Sequence, residues 1–258
     1  MSLEQVSRDI FFKFISLYLY KTIQLSMKTK FYLSALALFA GLHLCSAQEQ
    51  KTTSLSDATK VVYAMNDAKK LDGVYSVMKD DDKVLLRGVY KDNTRTGNWY
   101  AFNDNGKVFL RYNYDLNKLV YLDTLSINRL SVNVDTTDPT AKEKASIPVP
   151  IASIDQYISL LGTELKRMIL KENRNADGTL DVDLTTNIDK KGKANYEATY
   201  FADGLKVVKR LVIAEKGFDI DWIPSSYNGQ NYASTFTVKA RIDFTQKPGI
   251  KQRFIWVY

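Results

Sequence analysis

Two residue types that carry much of protein chemistry are almost missing from this chain: it has a single histidine, His43, and a single cysteine, Cys45. Both precede Gln48, so the 48–258 stretch has neither. That stretch therefore lacks an imidazole base, a thiolate nucleophile, the His and Cys ligands of zinc sites, and disulfides. Charge of one sign is also scarce. Residues 48–258 hold 31 basic against 27 acidic side chains, a net of +4, with Lys and Arg interspersed among Asp. The sequence pI of about 9.2 is then no argument for nucleic-acid binding. Nor is there a proline-rich spacer of the kind that bridges long distances.

The first 47 residues read differently. From Met27 the sequence MKTKFYLSALALFAGLHLCSAQEQ places Lys28 and Lys30 before an apolar run, Phe31 to Leu44, and then Cys45-Ser46-Ala47. This is the form of a secretory signal, with cleavage expected after Ala47. The run, about 14 residues, is short of the roughly 20 that a helix needs to cross a bilayer. Acylation of Cys45 is the lipoprotein alternative, but Leu44 stands where such signals carry a small residue. Residues 1–26 precede a complete signal and read as an over-called extension. The alternative joins their apolar patch, Ile10 to Tyr20 around Lys13, to the second patch as an anchor. The expected location is the periplasm or cell surface of a two-membrane bacterium, with membrane contact only through an uncleaved leader or lipidation.

Residues 48–70 are polar, with weak periodicity at Ala58, Val61, Val62 and Met65, and read as a tether or short helix. Over 71–134, short Val, Leu, Tyr, Phe and Trp runs alternate with turn clusters such as Lys91-Asp92-Asn93 and Asn103-Asp104-Asn105-Gly106, predicting an antiparallel β-hairpin array. Within it, Arg87-Gly88-Val89-Tyr90 and Thr96-Gly97-Asn98-Trp99-Tyr100 repeat a glycine before an aromatic. This resembles the looser bacterial form of MORN-type repeats, in which glycine lets the backbone approach and an aromatic covers the adjacent strand. A twisted meander with glycine at bulges is the other reading.

Residues 135–150 are small, charged and proline-containing, and read as a linker. Then Ser153 and Gln156 form a capping-box pattern, and Ile154, Tyr157, Ile158, Leu161, Leu165, Met168 and Ile169 recur at helical spacing. Leu180, Val182 and Leu184 alternate as a strand, Asp189 to Gly192 turns, and a second strand runs from Lys193 to Tyr200. A helix is chosen for Leu205 to Ala214, and strands for 236–244 and 253–258. The expected fold class is α+β: an antiparallel β-hairpin array followed by a small α+β domain, 151–258.

The order of features from Pro148 to Phe244 resembles the C-terminal domain of TonB and its relatives in secreted Bacteroidetes-type proteins. It comprises an amphipathic helix, a strand led by Gly178, a turn at Gly192, a second helical segment, Trp222-Ile223-Pro224, Asn228-Gly229, and a strand ending in Phe244. The resemblance implies two helices packed on one face of an antiparallel sheet and a role in protein contact, with a partner peptide added to the edge of the strand Thr235–Phe244. Asn173-Arg174-Asn175 stands where the family has Tyr-Pro, and no long spacer is present, which argues against energy transduction. The tail strand 253–258 is a candidate to close that edge.

Other chemistry finds weak footing. Asn173, Asn175, Asp177, Gly178, Thr179 and Asp181 fit calcium-loop positions, but Leu184 replaces the bidentate glutamate. Ser76 and Lys79 have S-x-x-K spacing in what reads as a strand rather than a helix start. Asp181, Asp183, Asp219 and Asp221 offer carboxylates without singling out an acid and a base. The 16 tyrosines, with Trp99 and Phe102, suggest either a stacking surface or ordinary strand packing. The expectation is a non-catalytic protein- or peptide-binding module of the envelope, without cofactor or metal, whose partner is a periplasmic or outer-membrane protein or peptide and not nucleic acid. Its candidate contacts are Tyr232, Phe236, Val238, Arg241, Trp99 and Tyr100. The alternative is a structural or glycan-contacting protein that uses the aromatic β module.

Overall fold

The computed structural model describes residues 49–80, 82–127, 130–245 and 255–256. The leader expectations, including cleavage after Ala47 and acylation of Cys45, lie outside them, as does most of the 253–258 strand. Gln48–Tyr258 forms one compact unit, and the fold is α+β and β-rich.

Seven strands form an antiparallel meander in sequence order: β1 Glu49–Ser54, β2 Lys60–Met65, β3 Leu71–Lys79, β4 Lys83–Lys91, β5 Thr94–Phe102, β6 Val108–Asn113 and β7 Lys118–Leu122. The expected hairpin array is thus present and begins earlier than the sequence suggested. The 48–70 segment is two strands rather than a tether or helix. Its Val61 and Val62 are β-branched and alternate between faces, and β2 finds a ladder on β3 that an isolated amphipathic turn would lack.

After a 3₁₀ turn at Thr124–Ile127, β8 (Ser131–Val134) leaves the meander and joins a second sheet. The 135–150 segment, read as a linker, carries helix α1 (Pro139–Lys144) and β9 (Val149–Pro150). Asp138 caps α1 by accepting from the Thr140 amide at 2.9 Å, and Ala141 is buried. Helix α2 (Ile154–Glu172) follows. Its amphipathic face is as predicted, but the capping box is not made. Gln156 turns inward, where its amide reaches the Thr59 hydroxyl at 3.4 Å, and Ser153 makes no side-chain cap bond.

The second sheet has the order β12–β11–β10–β16, with β10 Thr179–Ile188, β11 Ala194–Ala202, β12 Leu205–Leu211 and β16 Ser234–Asp243. Beyond β16 lie β8 and β17 (Ile255–Trp256). Residues 205–211 are a strand, not the expected second helix. Asp203 (φ 51°) and Gly204 (φ 78°) form a two-residue reversal after β11, and Val207 and Val208 continue as its hairpin partner. Two short pairs complete the fold. β13 (Trp222–Ile223) pairs with β9, and β14 (Ser225–Tyr227) with β15 (Gln230–Tyr232) across Asn228-Gly229, whose positive φ values match the type I′ turn expected there.

One hydrophobic core runs from Val61, Tyr75 and Trp99 on the meander, through Tyr157, Leu161 and Leu165 of α2, to Leu184, Phe236 and Val238 on the second sheet. Tyr157 sits at its centre, with ring centroids 5.6 Å from Trp222 and 5.9 Å from Phe236, and its hydroxyl bonds to that of Thr186. Trp222 is therefore the apolar anchor that the sequence indicated.

Candidate functional site

The core consumes most of the residues singled out from the sequence. Trp99 and Phe236 are fully buried, Val238 is nearly so and Tyr232 is 9% exposed, so none presents a surface to a partner. Trp99 faces inward because its indole lies over Gly88 and packs between Tyr75, Tyr90 and Tyr114. Arg241 is on the solvent face of the second sheet, held by Asp181 at 2.6 and 3.1 Å. Of these six, Tyr100 alone is half-buried beside arginines that lack ion-pair partners among the described residues.

The proposed peptide edge is occupied. Thr179–Asp243 through Ile188–Ser234 pair β10 with one side of β16. On the other side, β8 covers Ser234–Thr237 and β17 pairs with Ala240 and Arg241. β16 thus lies inside the sheet, leaving no continuous ladder for an added strand.

Around Tyr100 the meander builds a cross-strand row. Ser76 lies opposite Arg87, Arg87 opposite Tyr100, Tyr100 opposite Arg111, and Arg111 opposite Tyr121. Directly opposed residues share a face, and here it is the outer one, because Tyr75, Leu86, Trp99 and Leu110 fill the inner face. Cation and phenol therefore alternate over β4 to β7. The adjoining row carries Asn98, Asn113 and Lys118, with Val74 49% and Val89 43% exposed. Neither row contains a carboxylate. Arg87 and Arg111 have no ion-pair partner among the described residues, and the Nε of Arg111 is buried without an acceptor.

Arg95 is the opposite case. It lies on the inner side, 4.6 Å from the Trp99 ring centroid, and donates to Tyr90 Oη (3.0 Å), Tyr114 Oη (2.8 Å), Asp221 Oδ2 (3.0 Å) and the Asp219 carbonyl (2.8 Å). Burial opposes its charge, but Tyr114 and Asp221 outweigh that and keep its pKa above the usual arginine value. With the bond from Tyr75 Oη to the Gly217 carbonyl (2.7 Å), it fastens the loop before β13 to the meander. Four of its five N–H donors are thus used within the fold.

The remaining chemistry is likewise absorbed. Asp181 and Asp183 face Arg241 and Lys239 across the sheet, the latter pair at 3.6 Å. Asp221 holds Arg95 and Tyr114, while Asn173 accepts from the Asn175 amide in a local turn. Ser76 lies on β3, and Lys79 bonds Asp104 at 3.0 Å. Among the described residues, no group of three or more His, Cys, Asp or Glu side chains could hold a metal ion, and no helix is long and apolar enough to cross a membrane.

Sequence reasoning reached Tyr100 but missed Arg87, Arg111 and Tyr121. Each strand alone shows only an ordinary alternation. The row emerges once register sets strand against strand, and the bulge on β5 around Gly97 shifts that register by residues that no turn signal specifies. Comparison with protein-family models, curated proteins and solved structures returns no match.

Proposed function

We propose that this chain is a non-catalytic binding component of the bacterial envelope, exported by its leader, that meets its partner through the outer face of the seven-stranded sheet. The observation that carries this reading is the row Arg87–Tyr100–Arg111–Tyr121, in which two arginines without carboxylate partners among the described residues alternate with two tyrosines. Arg167 and Arg241 are neutralised by Glu164 and Asp181, whereas Arg87 and Arg111 stand two strands apart in one row that holds no carboxylate. A face left unneutralised has free donors and amphipathic rings, which suit recognition more than stability. The TonB-like expectation of strand addition at Thr235–Phe244 is set aside in favour of the glycan-contacting alternative, because β16 is paired on both sides.

A second reading keeps strand addition but moves it to β12. Among the described residues this seven-residue strand pairs only with β11, and Val208 is 53% exposed. Lys206, Lys209 and Arg210 lie along it, and such charges blunt an edge against pairing.

Co-sedimentation of the chain from Gln48 with isolated bacterial envelopes separates the two. Loss of sedimentation in the variant Arg87→Gln/Tyr100→Ala/Arg111→Gln, with far-UV circular dichroism unchanged, supports the face. Loss only on substituting Val208→Pro transfers the function to the β12 edge, and sedimentation unchanged by either sinks both.

A further inference from the structure

We propose that the outer face of the meander holds a linear acidic glycan bearing one anionic group on every second sugar, laid across the strands from β4 to β7. The inference rests on the reading of this face as the recognition surface and names the class of its ligand.

Charge comes first. Arg87, Arg111 and the exposed Lys118 present three cations in two adjoining rows that contain no carboxylate, so the complementary partner is anionic. Guanidinium groups pair with planar carboxylates through two parallel hydrogen bonds, and Arg87 is exposed and Arg111 half-buried in this row.

Spacing comes next. Arg87 is on β4 and Arg111 on β6, so they stand two strands apart, about 9.6 Å at the usual strand separation. An extended acidic peptide repeats its side chains on one face every second residue, at about 6.8 Å, and so falls out of step with the arginines. A polymer with a single acid per disaccharide has the longer repeat that the row requires.

The tyrosines supply the rest. Side chains stand roughly perpendicular to a sheet, so Tyr100 separates the two arginines and Tyr121 closes the far side of Arg111. A sugar ring seated beside a guanidinium therefore meets an aromatic face with its apolar C–H surface, while its hydroxyls reach toward Asn98 and Lys118. A sheet binding only a diffuse polyanion would have no use for rings at alternate positions.

The probes are hyaluronan oligosaccharides, which carry a carboxylate on alternate sugars, their carboxyl-reduced neutral counterparts, and poly-glutamate, each titrated into the chain from Gln48 at low and moderate salt. The expected result is hyaluronan binding that weakens as salt rises and is about tenfold tighter than for either other probe, with Arg87→Gln and Arg111→Gln each weakening it about tenfold and Tyr100→Leu by a similar factor. The variant Arg174→Gln, in the exposed turn after α2, should leave affinity unchanged and serves as the charge control. Equal or tighter poly-glutamate binding that is lost in the arginine variants overturns the glycan class and leaves the face standing as an anion-binding surface. Hyaluronan binding that ignores Arg87, Tyr100 and Arg111, or no binding of any probe while the envelopes of the sedimentation experiment are still retained, also overturns the proposal. No probe binding together with no envelope retention removes the face itself.

Discussion

The indole of Trp99 lies so close over Gly88 that a Cβ at residue 88 would stand 2.1 Å from its Cδ2. Adjacent strands thus share one volume, the side chain of β5 filling the space that β4 leaves empty. Trp99 is 0% exposed as a result, and Tyr75, Tyr90 and Tyr114 pack around it with centroids 5.2 to 5.7 Å away. Glycine for close approach and glycine opposite a bulge are here one arrangement. Substituting Gly88→Ala should cost about 2 to 3 kcal/mol, because the backbone cannot retreat without breaking the ladder. Urea denaturation followed by tryptophan fluorescence measures it, and a loss below about 0.5 kcal/mol would show that the indole has room to move.

The Arg95 and Asp221 pair predicts a second effect. The Arg95 side chain is 9% exposed and the Asp221 side chain 45%, so removing the carboxylate leaves a largely buried cation with weaker partners. Asp221→Ala should destabilise by about 2 kcal/mol, less than a fully buried pair would lose, since water reaches the Asp221 side. A double-mutant cycle with Arg95→Leu should show coupling of about 1 to 2 kcal/mol, whereas additive losses would mean that the two act independently.

Asp57 sets a pH dependence. One carboxylate oxygen accepts from the Thr59 hydroxyl at 2.6 Å, but the other is buried without a partner. Burial raises its pKa, bonds from Thr59 work against that, and the nearby Glu215 adds to the rise. The folded state then holds its proton at a pH where the unfolded state has released it. Stability therefore falls as pH climbs from the unfolded carboxylate range, near 3.8, through the raised folded value. Asp57→Asn should flatten this slope and gain about 1 kcal/mol at neutral pH by removing a desolvated charge. Chemical denaturation at several pH values checks it, and a less stable Asn variant at neutral pH would contradict the assignment.

The Asp203-Gly204 reversal predicts a third loss of stability. Gly204 has φ 78°, where a Cβ meets its own backbone, so Gly204→Ala should cost about 1 kcal/mol and lower Tm by about 2–4 °C. No change in Tm would mean that the turn relaxes to another form.

That turn also shows where the sequence was legible and where it was not. Val207, Val208, Leu211 and Val212 fit helical spacing by chance, and the Asp-Gly pair before them was the stronger local signal, a two-residue hairpin. Asn228-Gly229, the same signal in another place, was read correctly. The α2 face was legible because seven apolar residues kept one period over the whole helix, and the meander because turn clusters punctuated it regularly. Ala58 to Met65 misled because four apolar positions suit either period, and the decision came from pairing with β3. The site was harder still. Side chains that looked suited to contact, Phe236 and Val238, are the ones that a core claims first. Arg87 and Arg111 look ordinary until register places Tyr100 between them.

The central claim is that the outer face of the meander is where a partner sits, and arginine side-chain NMR tests it most directly. Nε–Hε resonances of Arg87, Arg95, Arg111 and Arg241 are followed while hyaluronan oligosaccharide is added to the chain from Gln48. The account predicts saturable shifts for Arg87 and Arg111, with Arg95 inside the fold and Arg241 on the second sheet unmoved. Shifts confined to Arg241, or equal small drifts of all exposed arginines without saturation, would contradict it.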